Sequence, residues 1–195
     1  MKSLVFLGFA LLLASAAHAA SVPTSKAAEL AIHRIERLVT LHKIDENFIN
    51  RFYGVSAVKL PQAQPTDPAF KASGFQVPGA DGKSIEVEIL MDATGKALSN
   101  TVKDGSESVN APSWPSKDPV ALSEDSMHYV LDNGTTKPEL QPFYTAFANL
   151  VLNQVTDASG QIMSRATIRS TATDMILEVF LKLDGSFVSA NVRKP

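Results

Sequence analysis

The spacing of apolar and polar residues changes period several times along the chain. After Pro23-Thr24-Ser25, apolar residues at Ala28, Ala31, Ile32, Ile35, Leu38, Val39 and Leu41 recur at the i, i+3, i+4, i+7 spacing of an amphipathic helix, with Glu29, Arg34, Arg37 and Lys43 largely on its wet side. Asp45 is placed to cap a short second helix carrying Phe48, Ile49, Phe52 and Tyr53 on one face, with Gly54 to end it. Val55 to Leu60 reads as a strand. From Ile85 to Met91 the period falls to two: Ile85, Val87, Ile89 and Met91 point one way, Glu86 and Glu88 the other, as a half-buried antiparallel strand requires. Thr136-Lys137-Pro138-Glu139 has the form of a capping box with proline in the first turn, and Leu140, Phe143, Tyr144, Phe147, Leu150, Val151 and Val155 predict the buried stripe of a helix after it. Ile162, Ala166 and Ile168 predict a strand that exposes Arg165, Thr167 and Arg169. Leu177, Val179, Leu181 and Leu183 predict the buried face of a further strand. Its opposite face, Ile176, Glu178, Phe180 and Lys182, is less polar than a wholly solvated one.

The strand patterns contain a similarity. Ile85-Glu86-Val87-x-Ile89-x-x-Asp92 leads through a turn to Gly95-x-x-Leu98-Ser99-x-x-Val102-Lys103, and Leu177-Glu178-Val179-x-Leu181-x-x-Asp184 leads to Gly185-x-x-Val188-Ser189-x-x-Val192-Arg193. Spacing is kept within each arm, and a helical pattern precedes each copy. The reading is an ancient duplication or a recurring helix-plus-hairpin unit; the alternative is two hairpins that share Asp/Gly turns and alternating β-branched residues. Two copies fall short of the roughly three a solenoid needs, so they would pack as a pair. The expected fold is therefore α+β, two helix-on-antiparallel-sheet units related by an internal repeat.

Two proline-rich stretches punctuate that order. Pro61 to Gly82 holds Pro61, Pro65, Pro68 and Pro78 and reads as a long loop. A connector runs from about Asp104 to Asp125, with Pro112, Trp114, Pro115 and Pro119, and separates a first unit over 20–103 from a second over 126–195. Trp114, the single tryptophan, either pins this connector to the core or docks a partner.

Composition narrows the classes. The chain has 195 residues, is 45% hydrophobic and contains no cysteine, which excludes disulfides, thiolate metal sites and a thiol nucleophile. A formal charge of −2 and a pI near 6.1 give no basic excess for nucleic acid or anionic lipid. Part of the hydrophobicity sits in Leu4 to Leu13, which follows Lys2 and ends in small residues at Ala17-His18-Ala19. This predicts a cleaved bacterial export signal over 1–19, too short for a permanent span, and a periplasmic or secreted product without membrane insertion. Removal of Lys2 with the signal brings the charge to −3.

Candidate chemistry is sparse. His33 and His42, nine residues apart, fall about 900° apart around a helix and cannot form a metal pair within it. Ser126-Met127-His128 places a hydroxyl and an imidazole on one side of an expected strand, without a nucleophile elbow. Glu86 and Glu88 share a strand face and suit cross-strand pairing with Lys or Arg better than acid/base work. No P-loop, H-E-x-x-H, G-x-G-x-x-G or EF-hand spacing occurs, so neither a cofactor nor a catalytic residue is assigned.

Ile85-Glu86-Val87-Glu88-Ile89 running into Met91-Asp92-Ala93-Thr94-Gly95-Lys96-Ala97-Leu98 resembles the terminal hairpin of PepSY-type domains, exported helix-plus-sheet modules. The second hairpin keeps only Asp184-Gly185 of that turn. The resemblance implies a cell-envelope binding or inhibitory module and brings no catalytic residues with it. The expected function is a non-enzymatic module engaging a protein or peptide through a sheet face, a sheet edge or the loops, with Arg165, Arg169, Glu178, Phe180, Lys182 and Trp114 as candidate binding residues. The alternative is a small hydrolase or isomerase on a cystatin-like cone, which requires one of His33, His42, Glu86 or His128 to converge with another polar group.

Overall fold

The computed structural model describes residues 20–45, 47–76, 84–104 and 118–195. Residues 1–19, expected to be an export signal, residues 77–83 at the end of the first proline-rich stretch, and residues 105–117 with Trp114 lie outside the described residues. The elements run α1 (Thr24–Thr40), α2 (Asn47–Arg51), β1 (Phe52–Lys59), β2 (Phe70–Gln76), β3 (Ile85–Met91) and β4 (Ala97–Asp104). They continue with α3 (Pro119–Asn133), a 3-10 turn (Pro138–Leu140), α4 (Gln141–Thr145), β5 (Phe147–Thr156), β6 (Ile162–Ser170), β7 (Ile176–Lys182) and β8 (Phe187–Arg193). The fold is α+β, with the strands joined in one antiparallel sheet of order β4-β3-β2-β1-β5-β6-β7-β8. No helix among the described residues is long and apolar enough to cross a membrane.

The two groups of four strands meet edge to edge, β1 against β5 through Gly54↔Val151, Val55↔Leu150 and Ser56↔Asn149. The face-to-face packing that a pair of separate sheets would need does not occur. Register aligns Val55, Leu150, Ile168 and Leu177 across β1, β5, β6 and β7, and Ala57, Ala72 and Ile89 across β1, β2 and β3. These residues are buried beneath α1, which packs on β1, β2, β3 and β5, and α3, which packs on β1, β5, β6 and β7. Both helices thus cover one face and share one core. The alternating residues of the same strands form an opposite face with no helix on it among the described residues.

The α1 stripe is buried as its spacing predicts, except that Leu41 is exposed and Glu29, expected on the wet side, is buried. The helix ends in a Schellman turn: Lys43 N–H donates to Leu38 C=O and His42 N–H to Val39 C=O, with His42 at φ 52°. The expected second helix is shorter than its apolar residues suggest, since Phe52 to Gly54 already belong to β1. The first proline-rich loop contains β2 between Pro68 and Pro78, where Phe70, Ala72 and Gly74 face inward.

Two further expectations are corrected. The long helix after Thr136 is a 3-10 turn and one short helix; from Phe147 the chain is strand β5, with Leu150 and Leu152 inward. Its apolar residues satisfy both periods, but Val151, Val155 and Thr156 are β-branched and Asn149 and Asn153 alternate with the leucines, which suits a pleated strand. Ser126 to His128 lie on helix α3, not on a strand, and α3 starts inside the segment expected to be a connector. Asp118 caps it, with Oδ1 accepting from Val120 N–H at 3.2 Å and Ala121 N–H at 3.4 Å, and Pro119 stands in its first turn. Buried Ser123 and Ser126 disguise its packed face; their hydroxyls donate to the carbonyls of Pro119 and Leu122, four residues back.

Candidate functional site

Alternation on β6 and β7 brings several predicted binding residues onto the open sheet face. Arg165 stands opposite Phe180, Thr167 opposite Glu178, Arg169 opposite Ile176 and Met163 opposite Lys182. Glu178 is 5% exposed and already held: Arg193 Nε and Nη2 each donate to its carboxylate at 3.0 Å, and Arg165 Nη1 lies 3.6 Å from Oε1. Hydrogen bonding from Arg193 holds this carboxyl below the ordinary glutamate range against the opposing effect of burial. Glu178 is therefore spent inside the sheet face, and Arg193, unremarked in the sequence, is its chief partner. Arg169 and Lys182 are exposed and Phe180 is half-buried, leaving a cationic, partly apolar surface. Glu88 repeats the arrangement on β3, 2.7 Å from Lys103 Nζ and 3.9 Å from Lys71 Nζ, which makes it a cross-strand partner as its strand position predicts.

A second constellation lies where α1 meets α3. Glu29 and His33 are four residues apart on α1, and Glu124 and His128 are four apart on α3, so each pair shares one helix face. The pairs reach across to each other: His33 Nε2 is 2.9 Å from Glu124 Oε1, and His128 Nε2 is 3.3 Å from Glu29 Oε1 and 3.8 Å from Glu124 Oε1. Both imidazoles are about half exposed, whereas Glu29 is 4% exposed. Its Oε2 is buried without a hydrogen bond and ion-paired with Lys26. The surroundings are acid-rich. Burial, reinforced by Glu124, raises the carboxyls of Glu36 and Asp125, while His33 and His128 respectively oppose this.

The remaining candidates separate. Ser126 Oγ bonds Leu122 C=O within the core while His128, two positions on, turns toward Glu29, so they form no dyad. His42 sits exposed in the turn that ends α1.

At one end of the sheet, β8 is an edge strand with no partner on its outer side among the described residues. Beside it a groove of about 410 Å³ is lined by Tyr129, Glu139, Leu140, Met175, Leu177, Ala190, Asn191 and Val192. Phe187 at the start of β8 stacks on Tyr129 at 5.1 Å between centroids and stays 54% exposed, and Val188 is 43% exposed. The groove's sequence signal is weak because its walls come from α3, the 3-10 turn and two strands.

Fold and sites together describe an α+β protein with helices on one face of an eight-stranded antiparallel sheet, and among the described residues nothing covers the opposite face or pairs with the outer edges. No family profile, curated protein or solved structure matches the chain.

Proposed function

We propose that this chain is an exported, non-enzymatic binding module of the bacterial cell envelope that takes an extended protein or peptide segment onto edge strand β8. The observation that carries the reading is the coincidence, among the described residues, of a strand edge without a partner and a partly apolar groove beside it. An added strand gains main-chain hydrogen bonds along β8, and the groove admits one of its apolar side chains, which sets selectivity. Phe187 and Val188 offer apolar surface at the entrance, with the exposed cations Arg169, Lys182 and Arg193 on the opposite sheet face. The apolar start of the chain supports export, and the resemblance of the β3–β4 hairpin to PepSY-type modules supports an envelope role.

The module is read as two copies of a helix-plus-four-strand unit. In support, helices precede four antiparallel strands twice, and the two hairpins that match in sequence are the outer hairpins β3–β4 and β7–β8. The two Glu-x-x-x-His pairs occupy facing positions on α1 and α3.

The test is selection of linear peptides from a random displayed library on the purified protein, followed by amide chemical-shift mapping. Selected peptides should perturb β8 and the groove residues, and Ala190→Trp, which fills the groove, should weaken them at least about tenfold while Phe180→Asp leaves them bound. Shifts confined to the open face, loss of binding in Phe180→Asp alone, or failure to select any binding peptide would overturn the edge-strand reading.

A further inference from the structure

We infer that α1 and α3 together form a site for one divalent transition-metal ion of zinc's chemistry, held by His33, His128 and Glu29, with Glu124 beside the two histidines. The donor set is two imidazoles and a carboxylate, which suits zinc, whereas calcium and magnesium take shells of oxygen alone. Spacing of four residues places Glu29 and His33 on one face of α1, and α3 brings His128 to meet them. The geometry fits. Tetrahedral ligands about 2.0–2.1 Å from zinc lie roughly 3.3 Å from one another. The facing His–Glu atoms are separated by 2.9, 3.3 and 3.8 Å, and the ligand atoms of Glu29, His33 and His128 lie within 4.8 Å of one another. Small side-chain adjustments therefore admit an ion.

Burial supplies the second argument. A carboxylate as buried as Glu29 is costly unless its charge is matched; Lys26 matches Oε2, and Oε1 is left turned toward His128 at 3.3 Å. The half-exposed imidazoles leave an entry path from solvent. Donors from both helices make the ion a tie between the helix that begins the first four strands and the helix that begins the second, in a chain without cysteine to do so by a disulfide; the fourth position falls to Glu124 or to water.

The experiment is titration of the untagged, chelator-treated protein with zinc against a chromogenic chelator, and with cobalt(II) read by its visible absorption. The expected result is one equivalent bound with a Kd on the order of 1 µM or tighter and a four-coordinate cobalt spectrum. His33→Ala and His128→Ala should each weaken binding at least about tenfold, and His42→Gly should not. The two cluster histidines are half-exposed, so circular dichroism should show both variants folded. If either unfolds, the cobalt spectrum and stoichiometry of the unaltered protein decide. Weak or multiple binding, a six-coordinate cobalt spectrum, or undiminished affinity in the double His33→Ala/His128→Ala variant would overturn the inference.

Discussion

Gly54 offers the sharpest test of how the two groups of strands are joined. It lies in β1 where that strand pairs with β5, and a Cβ added there would fall well inside contact distance of the Leu150 carbonyl oxygen, with Val151 Cα at 3.4 Å and Leu150 C at 3.5 Å. All three are backbone atoms, so no side chain can rotate away and the strands themselves must separate. Overpacking of this kind costs about 1–3 kcal/mol, and weakening one ladder hydrogen bond adds about 1 kcal/mol. Removing glycine's freedom from the unfolded chain returns about 0.4–1 kcal/mol. Gly54→Ala should therefore lose about 1–3.6 kcal/mol, a fall in Tm of about 2–14 °C for a chain of this size. Gly74→Ala in β2 is the comparison: the added Cβ meets chiefly the end of the Ile35 side chain, which can shift, and Phe52 Cε2 at 3.1 Å. Urea unfolding followed by circular dichroism reads both variants. A Gly54→Ala protein as stable as wild type, or more stable than Gly74→Ala, would refute the close approach of β1 to β5.

Three further outcomes follow from local geometry. His42 holds a left-handed conformation at the end of α1, so His42→Gly should stabilise by about 0.5–1 kcal/mol; an unchanged urea midpoint would contradict the Schellman turn. Asp118→Ala should lose about 1 kcal/mol by removing the cap of α3, and Asp118→Ser should recover most of it; equal stabilities would show that the cap contributes nothing. Because Glu178 is held below the ordinary range, its contribution is present above the unfolded-state value near 4.3 and is lost as pH falls through the lower folded value. Wild type should accordingly exceed Glu178→Gln in stability at pH 7, with the gap closing below about pH 4; a gap independent of pH would exclude the arginine-held carboxylate.

Much of this arrangement is written in local pattern, and what is not has identifiable causes. The stripe of α1 and the alternation of β3 and β6 are legible because each has one wet face and one buried face; β7 keeps the alternation in its sequence although Ile176 and Glu178 are buried on its outer face. Alternation also places Arg165, Glu178 and Phe180 on a common surface, though it cannot show that Arg193 claims Glu178. Strand β5 is masked by apolar residues that fit two periods, yet its turn could have revealed it. Asp157-Ala158-Ser159-Gly160-Gln161 repeats the spelling of Asp92-Ala93-Thr94-Gly95-Lys96, and both aspartates accept from the residues two and four positions on. A hairpin turn of that form needs a strand before it. Helix α3 is hidden by serines on its packed face, which are tolerated there because each hydroxyl is satisfied by a carbonyl of its own helix. The Glu/His constellation is missed for a related reason. Each histidine is judged within its own segment, while the informative signal is the Glu-x-x-x-His spacing occurring twice, at Glu29-His33 and Glu124-His128.

The joint between the strand groups explains why that spacing falls where it does. Pairing of β1 with β5 extends only over Gly54 to Ser56, whereas β5 and β6 pair from Phe147 to Thr156. So short a ladder cannot hold the groups together alone, and the helices cross it: α1 reaches β5 and α3 reaches β1. Thr24 and Ser25 add hydroxyl bonds to the carbonyls of Thr145 and Tyr144. The contact between α1 and α3 is therefore part of the seam, and the Glu29, His33 and His128 donors sit on it. An ion bound by donors from both helices has its full shell only while the seam is closed. Its binding would stabilise the joined state by the logarithm of its concentration relative to Kd, without adding any contact to the core.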